Sequence, residues 1–172
     1  LIITLPLWLI VILLIKVTSI GPIFYLSKRQ GKNGKTITLY KFRTMESNAR
    51  FNGPAWTMPN DKRITFVGHI LRKLYIDEWP QFINILKGDL SFVGPRPEEI
   101  ELANIFKQNI NFYDIRHLVT PGLTGWAQIN QKNTHSIDEA KEKLKYDLYY
   151  IKNYSIWLDF YIIIKTLKIP FI

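Results

Sequence analysis

Residues 71–98 read LRKLYIDEWPQFINILKGDLSFVGPRPE, and this stretch decides the fold of the middle of the chain. Its first residues end a short predicted helix over residues 64–74. A second helix is predicted to begin at Asp77 and to close at Gly88, because glycine is the usual residue just past a helix end. Pro80 is tolerated there since it falls in the first turn. The stretch therefore predicts two short helices in succession.

The segment before this stretch predicts a β-hairpin. Residues 23–30 and 36–44 are strand-like, and the sequence GKNG at residues 31–34 suits a tight connection between them. Side chains alternate across a strand, so Lys41 and Arg43 point to the same face. Two neighbouring cations can hold a diphosphate, or they can protect an exposed strand edge from pairing with another chain.

Asp77 and Glu78 are adjacent acids at the start of the second predicted helix. The helix dipole favours ionised carboxylates there, and an ionised carboxylate is a competent nucleophile or metal ligand. Neighbours on a helix point about 100° apart, so the two acids cannot flank one bond as glycosidase acids do. The pair favours a division of labour, in which one acid attacks phosphorus and the other holds Mg2+. Ordinary helix capping would give the same dipeptide.

Arg96 stands between Pro95 and Pro97, and a second turn-rich loop follows at residues 121–125. The two prolines restrict the backbone around the arginine before any ligand arrives. This restriction reduces the entropy that is lost when a guanidinium grips a phosphate. A surface turn with an exposed arginine is the competing interpretation.

Both ends of the chain are apolar in ways that indicate membrane contact. Residues 1–15 read LIITLPLWLIVILLI, and a helix of this length reaches about 22 Å, short of the roughly 30 Å of a bilayer's hydrocarbon core. With Pro6 as a break, this segment predicts a re-entrant helix; a core helix or the tail of a spanning helix is the alternative. Residues 155–172 combine an apolar face with basic residues and predict an interfacial amphipathic helix.

The composition excludes several classes of protein. The 172 residues carry 23 Lys and Arg against 14 Asp and Glu, and the formal net charge of +9 favours anionic partners. The absence of cysteine excludes a disulfide framework, a thiolate zinc site and a cysteine nucleophile. The chain has no recognisable nucleic-acid motif, so we expect no nucleic-acid partner.

Together these patterns predict an α+β fold, in the form of a mostly helical, membrane-associated single domain with a small β-hairpin. The re-entrant helix is assigned to residues 1–20 and the domain to residues 21–172, with the interfacial helix at its C-terminal end. Another helix is predicted over residues 136–153, where a charged opening precedes aromatic residues. The candidate N-caps for the helix over residues 64–74 are Asp61 and Thr65.

The central stretch is preceded by LYKFRTM at residues 39–45 and followed by PGLTGWAQI at residues 121–129. These motifs, in this order and over nearly the whole chain, closely resemble the bacterial sugar transferases called monotopic phosphoglycosyl transferases. The resemblance implies transfer of a sugar-1-phosphate from a UDP-sugar to undecaprenyl phosphate with release of UMP, as the first membrane step of bacterial glycan assembly. It also implies contact with membrane lipid at the cytoplasmic face of the bacterial inner or plasma membrane, and it is compatible with a homodimer.

The resemblance also implies roles for individual residues of a catalytic domain over residues 21–172. Asp77 would be the nucleophile that forms an acyl-phosphate sugar intermediate, and Glu78 would bind Mg2+. Arg72 would face the lipid phosphate. The residues that would hold substrate phosphates are Lys41, Arg43 and the loop of Pro95, Arg96 and Pro97. The residues whose roles stay open are Trp126, Gln128 and His135.

Three other functions compete with this one. A non-catalytic basic membrane-surface adaptor explains the charge and both apolar ends, but it leaves the acidic pair unexplained. A nucleic-acid-binding domain explains only the basic pI and the aromatic residues. A conventional glycosyltransferase would release a nucleoside diphosphate where a phosphoglycosyl transferase releases a monophosphate. The nucleotide released therefore separates the two enzymatic functions.

Overall fold

The structure is a computed structural model that describes residues 5–47, 49, 61–131 and 136–168. Helices and short strands both occur along these ranges, which confirms the predicted α+β class. The helices are α1 (Leu5–Thr18), α2 (Phe66–Lys73), α3 (Gln81–Leu86), α4 (Ile100–Asn109), α5 (Trp126–Asn130), α6 (Ile137–Asn153) and α7 (Ile156–Lys168). The strands are β1 (Phe24–Gln30), β2 (Thr36–Phe42), β3 (Ser91–Val93) and β4 (Gly122–Thr124).

The chain divides into two compact units, which we describe in turn. The first comprises Leu1–Leu26 and Tyr40–Phe82, and the second comprises Ser27–Leu39 and Ile83–Ile172. The chain passes from one unit to the other within the β1–β2 hairpin and within α3. The predicted division at residue 20 between a membrane helix and a catalytic domain stays a prediction.

The predicted β-hairpin is confirmed. β1 and β2 form a two-stranded sheet, and a 3-10 turn over Lys32–Gly34 lies in the connection. Asn33 and Gly34 have φ angles of 54° and 74° there. These left-handed values cost glycine nothing and cost asparagine less than most residues, so the GKNG sequence accounts for the tight turn.

The first unit is packed around one face of α1. Trp8, Val11 and Ile15 are buried, and their spacing of three and four residues places them on a single stripe. The Trp8 ring meets the Phe42 ring of β2 edge to face, with the ring centroids 5.4 Å apart. α2 packs against the same helix. The hairpin and α2 thus share α1 as their support.

α2 confirms the helix predicted over residues 64–74, and Thr65 is its N-cap. The Thr65 hydroxyl accepts a hydrogen bond from the Gly68 N–H at 2.9 Å. The backbone of α2 lies directly against the chain at Thr44, because a Cβ on Gly68 would lie 2.0 Å from the Thr44 carbonyl oxygen. Glycine at this position therefore sets how closely the helix approaches the segment after β2.

The predicted start of the second helix at Asp77 is wrong. Ile76–Glu78 form a single 3-10 turn, and α3 begins only after Pro80. Pro80 can be accommodated in a first turn but has no N–H for the Ile76 carbonyl, and that carbonyl accepts from the Trp79 N–H at 3.1 Å in the 3-10 pattern. Gly88 has a φ of 76° and follows the last turn of α3, as predicted.

The second unit contains several buried clusters. One lies where α4, α6 and the 3-10 turn Tyr113–His117 meet, and another lies between the end of α6, α7 and β3. A third joins β2 to the residue before β3. The buried members of the first cluster are Ala103, Phe106, Ile110, Tyr113, Ala140 and Leu144. α6 contributes to two of the clusters and so connects the middle of this unit to its C-terminal helix.

β3 and β4 pair in parallel, with Ser91 opposite Gly122 and Val93 opposite Thr124. A Cβ on Gly122 would lie 2.1 Å from the Gly94 nitrogen, so this approach needs glycine. β4 falls in residues 121–125, which the sequence predicts as a loop, and that prediction is wrong for these three residues. A strand of this length is too short for the two-residue alternation to show.

α6 confirms the helix predicted over residues 136–153. It begins with a capping box, in which the Ser136 hydroxyl accepts from the Glu139 N–H at 3.2 Å and the Glu139 carboxylate accepts from the Ser136 N–H at 3.1 Å. The start of the helix is therefore consistent with the charged opening read from the sequence.

α1 and α7 each expose a broad apolar face within their own unit. The large exposed side chains are Leu7, Leu9, Ile10, Leu13, Leu14 and Val17 on α1, and Ile156, Trp157, Phe160, Tyr161, Ile164 and Leu167 on α7. Pro6 lies in the first turn of the described helix and does not interrupt it. Among the described residues, no helix combines the length and hydropathy needed to cross a bilayer. The re-entrant path and the interfacial position stay predictions.

Candidate active site

Asp77 and Glu78 lie in the 3-10 turn of the first unit. Tyr75, just before the turn, has a φ of 55°, a left-handed conformation that costs a bulky residue of the order of 1–3 kcal/mol. This residue lets the chain reverse after α2, and the Glu78 N–H donates to the Tyr75 carbonyl at 3.4 Å. Asp77 is 9% exposed and Glu78 is half-buried. A strained turn thus holds two consecutive carboxylates largely out of water.

Lys41 of β2 binds the Glu78 carboxylate. Its Nζ lies 2.7 Å from Glu78 Oε1, and the two side chains are 18% and 16% exposed. A pair this close and this sheltered is held more firmly than an ion pair on the open surface. The structure therefore brings together two predicted site residues that are 37 positions apart in the chain.

Arg72 of α2 is the second cation associated with the acidic turn. Its Nε donates to the Thr44 hydroxyl at 2.8 Å, which fixes the direction of the side chain. Burial lowers the pKa of Arg72, while the negative charge of Asp77 opposes that shift. The guanidinium keeps its charge in any case, since arginine is not deprotonated in proteins. Arg72 thus places a positive charge within electrostatic range of the Asp77 carboxylate.

Arg43 binds different partners from Lys41, although the two were predicted on one face. Its guanidinium donates to the Ser19 carbonyl at 2.8 Å, to the Ser19 hydroxyl at 2.7 Å and to the Ile20 carbonyl at 2.9 Å. Only 6% of Arg43 is exposed, and burial lowers its pKa. A cation beside the last carbonyls of α1 stabilises the end of that helix. In this geometry Arg43 stabilises the end of α1 through its hydrogen bonds to Ser19 and Ile20.

Pro95, Arg96 and Pro97 lie in the second unit, after β3. Both prolines are buried, and Arg96 is half-buried. The Arg96 Nη1 donates to the Leu123 carbonyl at 3.3 Å, and the Pro95 carbonyl accepts from the Gly122 N–H at 3.0 Å. The loop is therefore attached to β4 through both its backbone and its arginine side chain.

Arg116 and Asp147 form a buried ion pair that the sequence analysis did not identify. The Arg116 Nε and Nη2 lie 2.9 and 2.8 Å from Asp147 Oδ2, and both side chains are 2% exposed. The signal was present in the sequence, because Asp147 falls on the same helical stripe as Ala140 and Leu144. A carboxylate on a buried stripe needs a charged or hydrogen-bonding partner.

Glu98 and Lys143 form a second charged pair beside the first, with the Lys143 Nζ in contact with Glu98 Oε1. Burial alone would raise the pKa of Glu98, but the positive charges of Lys143 and Arg116 outweigh it and lower that pKa to about 2. The Glu98 carboxylate is therefore ionised at neutral pH. Sequence reasoning gave no sign of this pair.

Sequence comparison then gives the family of the chain. A family model described as bacterial sugar transferase matches residues 1–172. The chain belongs to the bacterial sugar transferase family. The acidic turn with Lys41 and Arg72, and the proline-flanked Arg96, are thus features of a sugar transferase.

Related sugar transferases share much of the sequence. The UDP-N-acetylgalactosamine-undecaprenyl-phosphate N-acetylgalactosaminephosphotransferase of Aeromonas hydrophila is 45% identical over 163 residues, which are 95% of this chain and 38% of that protein. The UDP-glucose:undecaprenyl-phosphate glucose-1-phosphate transferase of Escherichia coli (strain K12) is 39% identical over 163 residues, 94% of this chain and 35% of that protein. The chain thus spans little more than a third of these relatives.

A shorter relative matches over most of its own length. The exopolysaccharide production protein PSS of Rhizobium leguminosarum bv. phaseoli is 41% identical over 167 residues, which are 94% of this chain and 84% of that protein. The part of a sugar transferase represented by this chain therefore makes up most of at least one member of the family.

The donor atoms of the acidic turn fit Mg2+. Among the described residues no group of three His, Asp or Glu side chains is arranged to hold a metal ion. Magnesium in phosphate-handling enzymes, however, is held by one or two carboxylates together with substrate phosphates and water. Asp77 and Glu78 supply two hard oxygen donors from consecutive residues, so they suit an ion that arrives with a diphosphate.

The three residues without an assigned role are placed differently. Trp126 stacks on Tyr149 with the ring centroids 5.3 Å apart and packs in the cluster of α6 and α7. The amide atoms of Gln128 are buried and have no hydrogen-bond partner in the part of the chain that the structure describes. His135 lies outside the described residues. Trp126 therefore contributes to the packing of α6 and α7.

Proposed function

We propose that this chain transfers a sugar-1-phosphate from a UDP-sugar to undecaprenyl phosphate, giving undecaprenyl-diphosphate-sugar and UMP, as the first membrane step of bacterial glycan assembly. The family and the relatives support the reaction class. The observation that carries the proposal is the sheltered Asp77 carboxylate, flanked by the Glu78–Lys41 ion pair and by Arg72. This arrangement supplies a nucleophile and the positive charge that a diphosphate requires.

In the first step the Asp77 carboxylate attacks the phosphorus that bears the sugar. A bond forms between a carboxylate oxygen and phosphorus, and the bond from phosphorus to the UMP oxygen breaks, so UMP leaves with the electron pair. The sugar keeps its own bond to the phosphate oxygen. Burial of Asp77 limits the access of water and would protect the acyl phosphate from hydrolysis before the second step.

In the second step an oxygen of undecaprenyl phosphate attacks the acyl phosphate, and Asp77 leaves as a carboxylate. Arg72, whose positive charge acts on Asp77, would face the incoming lipid phosphate. Lys41, which is paired with Glu78, would also neutralise charge on the diphosphate. Mg2+, when bound by Glu78 and Asp77, would supply further neutralisation of the phosphates. Arg96, with its backbone fixed by Pro95 and Pro97, would hold a phosphate of the nucleotide sugar.

The same proposal places the protein on the cytoplasmic face of the bacterial inner or plasma membrane. The exposed apolar faces of α1 and α7 support lipid contact, because such broad apolar patches are unusual on a protein surrounded by water. Flotation with anionic liposomes tests the lipid contact, and Phe160→Glu on the exposed face of α7 is expected to reduce the fraction of protein that floats with the liposomes. The homodimer stays a prediction.

The test of the reaction measures UMP and UDP separately. The lipid-embedded protein is incubated with undecaprenyl phosphate, Mg2+ and a panel of UDP-sugars. Asp77→Asn removes the nucleophile, and Asp138→Asn makes the same chemical change at a side chain that is 89% exposed. We expect UMP release that requires Mg2+, disappears in Asp77→Asn and persists in Asp138→Asn.

Two other outcomes would contradict the proposal. Release of UDP would mean that a glycosidic bond is made, as in a conventional glycosyltransferase. Release of neither nucleotide across a broad panel, with membrane binding intact, would favour the non-catalytic membrane adaptor. A phosphosugar adduct on Asp77, detected by mass spectrometry after incubation without undecaprenyl phosphate, is expected if the two-step route is right.

A further inference from the structure

The loop that carries Arg96 has few backbone N–H donors. Pro95 and Pro97 have no N–H groups, so the loop cannot be fixed through its own amides at either position. Its carbonyls are bound instead. Pro95 O accepts from the Gly122 N–H at 3.0 Å, Arg96 O accepts from Arg116 Nη2 at 2.8 Å, and Glu98 O accepts from the Gln30 N–H at 3.0 Å. Of these donors, only the one to Arg96 O comes from a side chain.

That side chain is held from three directions. The Arg116 guanidinium binds Asp147 of α6 through Nε and Nη2, and its Nη1 donates to the Tyr113 hydroxyl at 3.0 Å. It is also buried, so no water competes for its donors. A planar guanidinium with fixed donors can serve a carboxylate, a hydroxyl and a carbonyl at once, whereas a single ammonium cannot reproduce those three directions.

We propose that Arg116 and Asp147 are positioning residues for Arg96, fixing the backbone from which the Arg96 guanidinium reaches a substrate phosphate. This inference rests on the proposed function of Arg96. The charge of Arg116 is neutralised by Asp147 away from water, so Arg116 anchors the loop and does not bind substrate. A misplacement of about 1 Å in such a group can cost up to about a hundredfold in rate.

The experiment is a double-mutant cycle that measures kcat and KM for UMP release. Arg116→Lys is expected to lower kcat/KM for the UDP-sugar by roughly tenfold to a hundredfold, mainly through KM. The same change made in an Arg96→Ala background is expected to have little further effect, since the loop then carries no guanidinium to position. Leu144→Ala is the control, because it removes buried volume from α6 without removing any hydrogen-bonding group of the Arg116–Asp147 pair.

A second measurement does not depend on activity. Hydrogen exchange of residues 94–99 is expected to accelerate in Arg116→Lys and in Asp147→Asn, and to stay near the wild-type rate in Leu144→Ala. Equal effects of Arg116→Lys with and without Arg96 would overturn the positioning role, and so would unchanged exchange in the loop. If exchange accelerates but the wild type releases no UMP, the proposed function fails and the anchoring of the loop stands.

Discussion

Alanine at Gly68 tests how closely α2 is held against the rest of the first unit. The added Cβ would lie 2.0 Å from the Thr44 carbonyl oxygen and 2.9 Å from the Thr44 Cα, although real Cβ contacts essentially never fall under 3.0 Å. The helix or the Thr44 backbone must therefore move by about 1 Å. Neither moves freely, because the Thr65 N–H binds the same carbonyl at 2.9 Å and Arg72 binds the Thr44 hydroxyl at 2.8 Å.

Two opposing terms set the size of the effect. Forcing extra volume into a packed contact costs about 1–3 kcal/mol, and the better helix propensity of alanine returns about 1 kcal/mol. Because both sides of the contact are held in place, the packing cost falls at the upper end of that range, and we expect Gly68→Ala to lower the free energy of unfolding by about 2 kcal/mol. Arg72 lies four residues further along the same helix, so we also expect kcat/KM for UMP release to fall by roughly tenfold.

The assay combines denaturant unfolding in detergent with steady-state UMP release. His69→Ala is the matched control, because His69 is an exposed neighbour on the same helix, and we expect it to stay within about 0.5 kcal/mol of the wild type. A Gly68→Ala protein as stable as the control and as active as the wild type would refute the close approach of α2 to Thr44.

Three further predictions follow from the charged residues. Lys41→Gln removes the half-buried partner of Glu78, so kcat/KM for UMP release should fall by roughly tenfold or more. Lys145→Gln breaks the exposed pair with Glu142 and should have no measurable effect on kcat/KM. Arg43→Lys should lower the free energy of unfolding by about 1–2 kcal/mol, since a lysine cannot donate to all three acceptors at the end of α1. An unchanged unfolding midpoint together with a raised KM would instead indicate a substrate-binding role. Burial, with the positive charge of Arg116, lowers the pKa of His117 from 6.5 to about 4, so between these two pH values the unfolded chain binds a proton that the folded chain does not. The free energy of unfolding should therefore fall by about 1–2 kcal/mol, after allowance for solvent screening, as the pH drops from 6.5 to about 4. His117→Gln should remove this pH dependence in denaturant unfolding measured between those two pH values.

Local signals in the sequence predicted much of the secondary structure. The GKNG turn, the Thr65 cap and the helix over residues 136–153 each depend on residues within a few positions of one another. Such features need no knowledge of the rest of the chain, because turn and cap preferences are set by the residue's own backbone and side chain. Those parts of the fold could therefore be predicted from the sequence.

The predictions that failed or were missed depend on contacts between distant residues. The acidic pair was placed in an α-helix because its neighbours are helix-compatible, yet Pro80 and the left-handed Tyr75 impose a 3-10 turn. β4 is too short to show a period, and it forms because β3 lies beside it. The partners of Arg43 could not be read from spacing either, because its acceptors lie 23 and 24 residues earlier, and its predicted role toward substrate stays a prediction.

The candidate site was predicted in its charges more than in its geometry. The sequence singled out the candidate acids and cations, and the structure pairs Lys41 with Glu78 and places Arg72 within electrostatic range of Asp77. The support beneath Arg96 was missed because the helical stripe marks Asp147 alone and does not indicate that its partner is Arg116, 31 residues earlier in the chain. The pair becomes visible only when α6 packs against the turn before β4.

The anchoring of the Arg96 loop also sets an order of events during synthesis. Its carbonyl is bound by a side chain 20 residues later, and that side chain is neutralised by one 31 residues beyond it. Contacts of such long range form late, since the chain between them must first lose the entropy of loop closure. A nascent chain therefore contains all the predicted site residues before Asp147 is made. A chain that stalls ahead of Asp147 would hold the loop through Gln30 and Gly122 but would lack the carboxylate that neutralises Arg116.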